Sequence, residues 1–189
     1  MNNSRMFHRA VLVVSVMVAA GCGGPAHMVR TETAPRVQDV RPVAGKAAVV
    51  IARTVSKGFN VEFFNYVDRR FIGVTKGRSF FVTNSVEPGR RIFISSASNI
   101  DALKIDFKAG KVYCIQQLVG FPESGQLARW VVPGRSPFEK VGVTLKEISI
   151  DEMAKEMADG MPYYTVDGTK PGKDLSEEEY RNIASKMGQ

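Results

Sequence analysis

The sequence is poor in the residues on which catalysis and metal binding most often depend. Its only histidines are His8 and His27, and its only cysteines are Cys22 and Cys114. The chain from residue 46 onward therefore has no histidine, which excludes Ser-His-Asp and Cys-His catalysis there and, with one cysteine, the usual zinc sites. Cys114 lies in an apolar run, which indicates a small buried hydrophobe in a strand. We expect no catalytic residue, no metal and no cofactor.

Long apolar runs are also missing. The longest, residues 10–20, is broken only by Ser15 and is too short for the ~20 residues that span a bilayer. It follows a basic segment without carboxylates and ends in Ala19-Ala20-Gly21-Cys22. This pattern predicts a lipoprotein signal peptide over residues 1–21, cleavage between Gly21 and Cys22, and acylation of Cys22. A plain secretory signal is the alternative, because small residues are also accepted at ordinary cleavage sites.

An acylated Cys22 predicts where the protein is held. Each buried CH₂ contributes about 0.8 kcal/mol, so two or three acyl chains anchor a protein without a membrane-spanning helix. Gly23 follows the cysteine, where an aspartate would favour retention in the inner membrane. We therefore expect a lipid anchor in a bacterial outer membrane, with the protein facing the periplasm.

Charge is unevenly distributed over a net charge of +7. Residues 46–150 carry 16 Lys and Arg against 8 Asp and Glu, and residues 151–189 carry 5 against 9. A basic body could attract anionic headgroups or glycans, although a solvated basic surface is the simpler interpretation. Nucleic acid is not an expected partner for an exported lipoprotein.

The sequence pattern divides the mature chain into three parts. Residues 22–45 contain scattered Gly and Pro and predict a flexible tether. Residues 46–150 contain short β-branched and aromatic runs, separated by turn residues at a spacing of about 8–12 residues. We predict a mainly β fold, an antiparallel β-sandwich of about eight short strands. The predicted strands cover residues 47–55, 61–67, 71–74, 79–86, 91–95, 103–107, 112–119, 127–132 and 141–148.

This β region resembles the DUF2846 domain family, found in bacterial lipoproteins. The matching runs are residues 68–74, Phe80-Phe81, residues 86–90 and residues 107–113, within a likeness that covers about residues 46–148. The family often has His after its Pro-Gly-basic step, where this chain has Arg91. The resemblance implies a β-rich domain and carries over no catalytic residue.

Residues 151–189 change to helical signals. Ser149-x-x-Glu152 and Ser176-x-x-Glu179 are capping boxes, and each precedes apolar residues at helical spacing. We predict a helical C-terminal tail. Its apolar stripes either dock on the β body or bind a partner protein.

Candidate binding residues are few. Arg69, Arg70, Arg78, Arg90 and Arg91 lie in or beside predicted turns, and together they would form a cationic rim for an anionic ligand. If successive turns alternate between the two ends of the sandwich, this set is split instead. Trp130 is the only tryptophan and is either a stacking platform or a core residue.

These patterns favour a non-enzymatic binding or scaffold module, with an envelope protein or peptidoglycan as partner. Two alternatives stay open. One is an envelope hydrolase or transferase that uses Ser/Lys or carboxylate chemistry, and the other is a carrier of a small apolar ligand.

Overall fold

The computed structural model describes residues 24–120 and 142–187. The strands in this part of the chain are β1 (Met28–Thr31), β2 (Ala47–Arg53), β3 (Glu62–Val67), β4 (Arg70–Lys76), β5 (Ser79–Val86), β6 (Gly89–Ser96), β7 (Ile100–Phe107), β8 (Val112–Gly120), β9 (Gly142–Ile148) and β10 (Tyr163–Val166). The helices are α1 (Ile150–Glu156) and α2 (Glu177–Lys186), and a 3-10 turn spans Val37–Asp39. The predicted signal peptide, Cys22, the strand at 127–132 and Trp130 lie outside these residues. Across the described ranges, no helix has the length and apolarity to cross a membrane.

The strands form two sheets that pack as a sandwich. The larger sheet has the order β1-β10-β5-β2-β8-β9, and the smaller has the order β4-β3-β6-β7. The predicted mainly β sandwich with a C-terminal helix is confirmed. Its purely antiparallel pairing is wrong, because β2 pairs with β8, and β10 with β5, in parallel. The parallel pair β2–β8 lies in the middle of the larger sheet, where both faces can be covered.

Strand β2 shows why its sequence is almost continuously apolar. Every residue from Ala47 to Arg53 is buried. One face packs toward the smaller sheet, and the other packs under Val37, Val40 and Met153 of the flanking segments. A strand covered on both faces cannot alternate polar and apolar residues.

A polar network joins the two sheets at the centre of the sandwich. Gln117 of β8 donates to the Asn65 side-chain oxygen at 2.7 Å and to Ser95 Oγ at 2.8 Å, and accepts from Thr75 Oγ1 at 2.5 Å. All four side chains are completely buried. Because each polar group here would be costly without its partner, the network favours one relative position of the sheets.

The predicted tether over 22–45 is wrong for most of its length. Met28–Thr31 forms β1 and pairs with β10, and Met28 is buried. The His27 ring lies 5.8 Å from the Phe71 ring, and its Nδ1 lies 2.9 Å from the Lys170 carbonyl oxygen. The folded body therefore contains a histidine. Strand β1 was not predicted because four residues are too few to show an alternation of polar and apolar side chains, and its partner strand lies more than a hundred residues further along the chain.

Both predicted capping boxes are present at the helix starts. Ser149 accepts from the Glu152 backbone N–H, Ser176 accepts from that of Glu179, and each glutamate accepts from its serine's N–H. The tail is not helical throughout, because β10 adds a strand to the larger sheet. Leu175, Tyr180 and Ile183 pack against the core, which supports the docked arrangement of the last helix.

Candidate functional site

An open groove of about 940 Å³ lies at one end of the sandwich. The β3–β4 turn and the β5–β6 turn form its floor, and the loop before α2 forms one wall. Strand β10 pairs with β5 only at Phe80 and Phe81, so the later residues Thr83 and Ser85 face the groove. The lining residues that bear on binding are Asp68, Arg70, Phe71, Glu87, Arg91 and Val166.

Asp68 organises the floor of the groove. Its φ of 52° is in the left-handed region, which Asp tolerates better than most residues. Oδ1 accepts from the Ile92 N–H at 3.0 Å and from the Tyr180 hydroxyl at 3.3 Å, and Oδ2 accepts from Arg91 Nη1 at 3.1 Å. Burial and then the charge of Asp68 raise the pKa of Tyr180. One carboxylate thus joins the β3–β4 turn, β6 and α2.

The arginines around the groove differ in how they are paired. Arg69 donates to the Leu175 carbonyl at 3.1 Å and to Glu177 at 2.7 Å, and Arg91 pairs with Asp68. Arg70 is exposed and has no side-chain hydrogen bond or ion pair to the described residues. The pKa of Glu87 is lowered chiefly by its hydrogen bond from Lys46, and the charges of Arg91 and Arg70 lower it further. Arg70 is therefore the cation most available to a ligand.

Of the two arrangements that the sequence left open for the five arginines, the structure has the split set and not a single rim. Arg69, Arg70 and Arg91 lie at the groove. Arg78 lies in the β4–β5 turn at the opposite end, where it donates to the Gly160 carbonyl at 2.7 Å and to Asp159 at 2.5 Å. Arg90 precedes Arg91 on β6 and so has its side chain on the other face of the sheet. Successive hairpin turns alternate between the ends, which separates residues that are close in sequence.

Carboxylates balance the arginines in this groove. Asp68, Glu87 and Asp174 line it together with Arg69, Arg70 and Arg91. Asp174 Oδ1 accepts from the Phe71 N–H at 2.8 Å, and Glu87 accepts from Lys46 at 2.6 Å. Since each carboxylate is occupied by a hydrogen bond within the protein, the arrangement suits binding better than acid–base chemistry. A ligand with one carboxylate for Arg70 and an apolar group for the exposed Val166 would match it.

Cys114 and the two aspartates of β7, Asp101 and Asp106, have structural roles. Cys114 is buried in β8, as predicted, and burial raises the pKa of its thiol to about 11. Asp101 accepts from the Leu145 N–H at 2.7 Å, whereas Asp106 pairs with Lys108, so the two are not a carboxylate pair. No cluster of three or more His, Cys, Asp or Glu suited to a metal ion occurs in residues 24–120 and 142–187.

Comparison with known proteins adds no relative to this description. No family model matches the chain. No curated protein matches it, and no solved structure matches it. The resemblance to the DUF2846 family thus stays a prediction.

Proposed function

We propose that this protein is a lipid-anchored, non-enzymatic binding module of the bacterial envelope, which binds its partner in the groove. The lipobox sequence ending at Cys22 supports the anchor. The observation that carries the binding role is the presence in one groove of the exposed Val166 and of Arg70, which has no side-chain hydrogen bond or ion pair to the described residues. The partner that this lining favours is an envelope protein with a carboxylate beside an apolar residue, or the stem peptides of peptidoglycan.

The geometry favours this role over the two alternatives. A carrier of an apolar ligand would need space between the sheets, but the buried polar network of Gln117 and large side chains such as Phe63 and Phe93 occupy that position. An envelope hydrolase would need a carboxylate free to exchange a proton. Asp68, Glu87 and Asp174 are instead held by hydrogen bonds within the protein.

Site-specific photo-crosslinking in intact cells tests the groove. Val166 lines the groove and is 41% exposed, and Val29 on the neighbouring strand β1 is 48% exposed but does not line it. A crosslinking residue at 166 should give a discrete product or retention on peptidoglycan, whereas one at 29 should not. Arg70→Gln should reduce that product about tenfold, which corresponds to about 1.4 kcal/mol, and Arg90→Gln should leave it unchanged.

Two results would overturn the proposal. The first is that positions 29 and 166 give the same set of crosslinked products, or that position 166 gives neither a crosslinked protein nor retention on peptidoglycan at near-physiological salt. The second concerns the anchor. Cys22→Ser should release the protein from the membrane fraction, and a variant that stays in that fraction would contradict the proposed anchor. Mass spectrometry of the native protein should show acyl chains on Cys22.

A further inference from the structure

Three of the exposed apolar side chains, including the most exposed one, lie at the end of the sandwich opposite the groove. In the β2–β3 loop, residues 54–61, Phe59 is 62% exposed and Val55 is 38% exposed, and near the end of β8 Leu118 is 38% exposed. Strands β2 and β8 are parallel, with Ala52 beside Gln116, so both finish at this end. Val55, Phe59 and Leu118 are called the apolar tip below.

The loop that carries Phe59 is held in place from inside. Arg53 is completely buried, and its Nη1 donates to the Val61 carbonyl at 2.7 Å. Its Nη2 donates to the carbonyls of Gly58, at 2.6 Å, and Lys57. The guanidinium lies 4.4 Å from the centre of the Phe63 ring. Because three hydrogen bonds from one buried side chain fix the loop, the exposure of Phe59 is built into the fold.

The described chain begins on the same half of the molecule. The Ala26 N–H donates to Glu62 Oε1 at 3.0 Å. Glu62 is the first residue of β3 and directly follows the loop that carries Phe59. Gly77 of the β4–β5 turn adjoins the Phe59 backbone, which places this turn beside the loop. The lipid attachment site at Cys22 is only four residues before Ala26, a reach of at most about 14 Å.

We propose that the apolar tip rests on the bilayer that holds Cys22, with Phe59 in its headgroup layer. This inference rests on the proposed function, because acylation of Cys22 is its premise. A flexible tether over residues 22–45 would leave the body free to turn, whereas a chain fixed at Ala26 holds it against the surface. Phe59 is apolar and suits the interface, and residues 54–61 contain Lys57 and no carboxylate, which suits anionic headgroups.

This orientation turns the groove away from the membrane. Strand β3 runs from Glu62, beside the apolar tip, to Val67, which lines the groove. At about 3.3 Å per residue, these two residues lie roughly 17 Å apart. The groove would then open toward the periplasm, where an envelope partner can reach it.

Depth-dependent quenching on vesicles tests the orientation. Acylated full-length protein is reconstituted on phosphatidylethanolamine–phosphatidylglycerol vesicles that contain a lipid with a shallow nitroxide. A fluorophore is attached at Phe59→Cys or, as a matched control, at Val43→Cys, both with Cys114→Ala. Val43 is 48% exposed and hydrogen-bonds to Asn84 at the groove end. We expect at least threefold stronger quenching at position 59.

Each outcome decides the inference. Stronger quenching at 59, repeated with Val55→Cys in case the first variant folds poorly, supports it. Equal quenching at 59 and 43, or none at 59, in protein that floats with the vesicles overturns the orientation and leaves the anchor standing. Protein that does not float and carries an unmodified Cys22 overturns the anchor, and with it this inference.

Discussion

Two arginines close the two ends of the sandwich in different ways. Arg53, at the apolar tip, is completely buried and donates only to backbone carbonyls. Arg91, at the groove, keeps about a third of its side chain exposed and pairs with the carboxylate of Asp68. In both, Nε is buried without a hydrogen-bond partner in the described part of the chain. An arginine therefore lies at both ends, the closed end at the apolar tip and the open end at the groove.

The difference lies in what balances each charge. Arg53 has no carboxylate partner within residues 24–120 and 142–187, and desolvation lowers its pKa to about 10, so it remains charged at neutral pH. Three carbonyls and the face of Phe63 replace the lost water. Arg91 and Asp68 balance each other and leave their other side open to solvent. We therefore expect Arg53 to matter chiefly for stability, and the Arg91 end to matter chiefly for binding.

Replacing Arg53 tests the closed end and should have the largest effect. Arg53→Met keeps the aliphatic packing but leaves the carbonyls of Lys57, Gly58 and Val61 without their donor. We expect the free energy of unfolding to fall by about 3 kcal/mol. Urea denaturation measures it. Arg90→Met, at an exposed arginine, is the control and should stay within about 0.5 kcal/mol of the wild type.

Much of this fold could be predicted because its signals are local. The strands β2 to β9 fall on the runs that the sequence pattern predicted. The capping boxes at Ser149 and Ser176 were predicted because each needs only residues three apart. Burial of Cys114 followed from the apolar character of its strand.

The parts that were missed depend on contacts between distant segments. Strand β1 and His27 are ordered by β10 and the loop before α2, which no short window of sequence contains. The contact of the Tyr180 hydroxyl with Asp68 likewise joins residues more than a hundred positions apart. The split of the arginines was one of two open arrangements, since the side of each turn depends on the strand order.

Breaking the pair at the open end should have a smaller effect on stability. Asp68→Asn keeps a residue that tolerates the positive φ and removes the charge that Arg91 faces. Because the pair is partly exposed, we expect a loss of about 1 kcal/mol, with a coupling of similar size in a double-mutant cycle with Arg91→Met. Chemical denaturation of the four proteins gives the coupling energy. A loss as large as that of Arg53→Met would remove the distinction between the two ends.

Acid should weaken both ends slightly, and this effect is the smallest. Each end has an exposed carboxylate with a lowered pKa, Glu87 through its hydrogen bond from Lys46 and Asp159 through its hydrogen bond from Arg78. The unfolded chain binds protons on these groups at higher pH than the folded chain does. Their contribution to stability is therefore present above the ordinary values of 4.5 and 3.8, and is lost as the pH falls through the folded pKa.

Melting temperatures at pH 7 and pH 3 measure this contribution at each end separately. Glu87→Gln and Asp159→Asn should each lower the melting temperature slightly at pH 7 and have a smaller effect at pH 3, because the wild-type carboxylates take up protons as the pH falls. Because the two ends are roughly 17 Å apart, the effects should add in the double variant. Non-additive effects would mean that the ends are coupled through the sandwich. A Glu87→Gln difference of the same size at pH 3 as at pH 7 would show that its contact with Lys46 does not act through the ionised carboxylate.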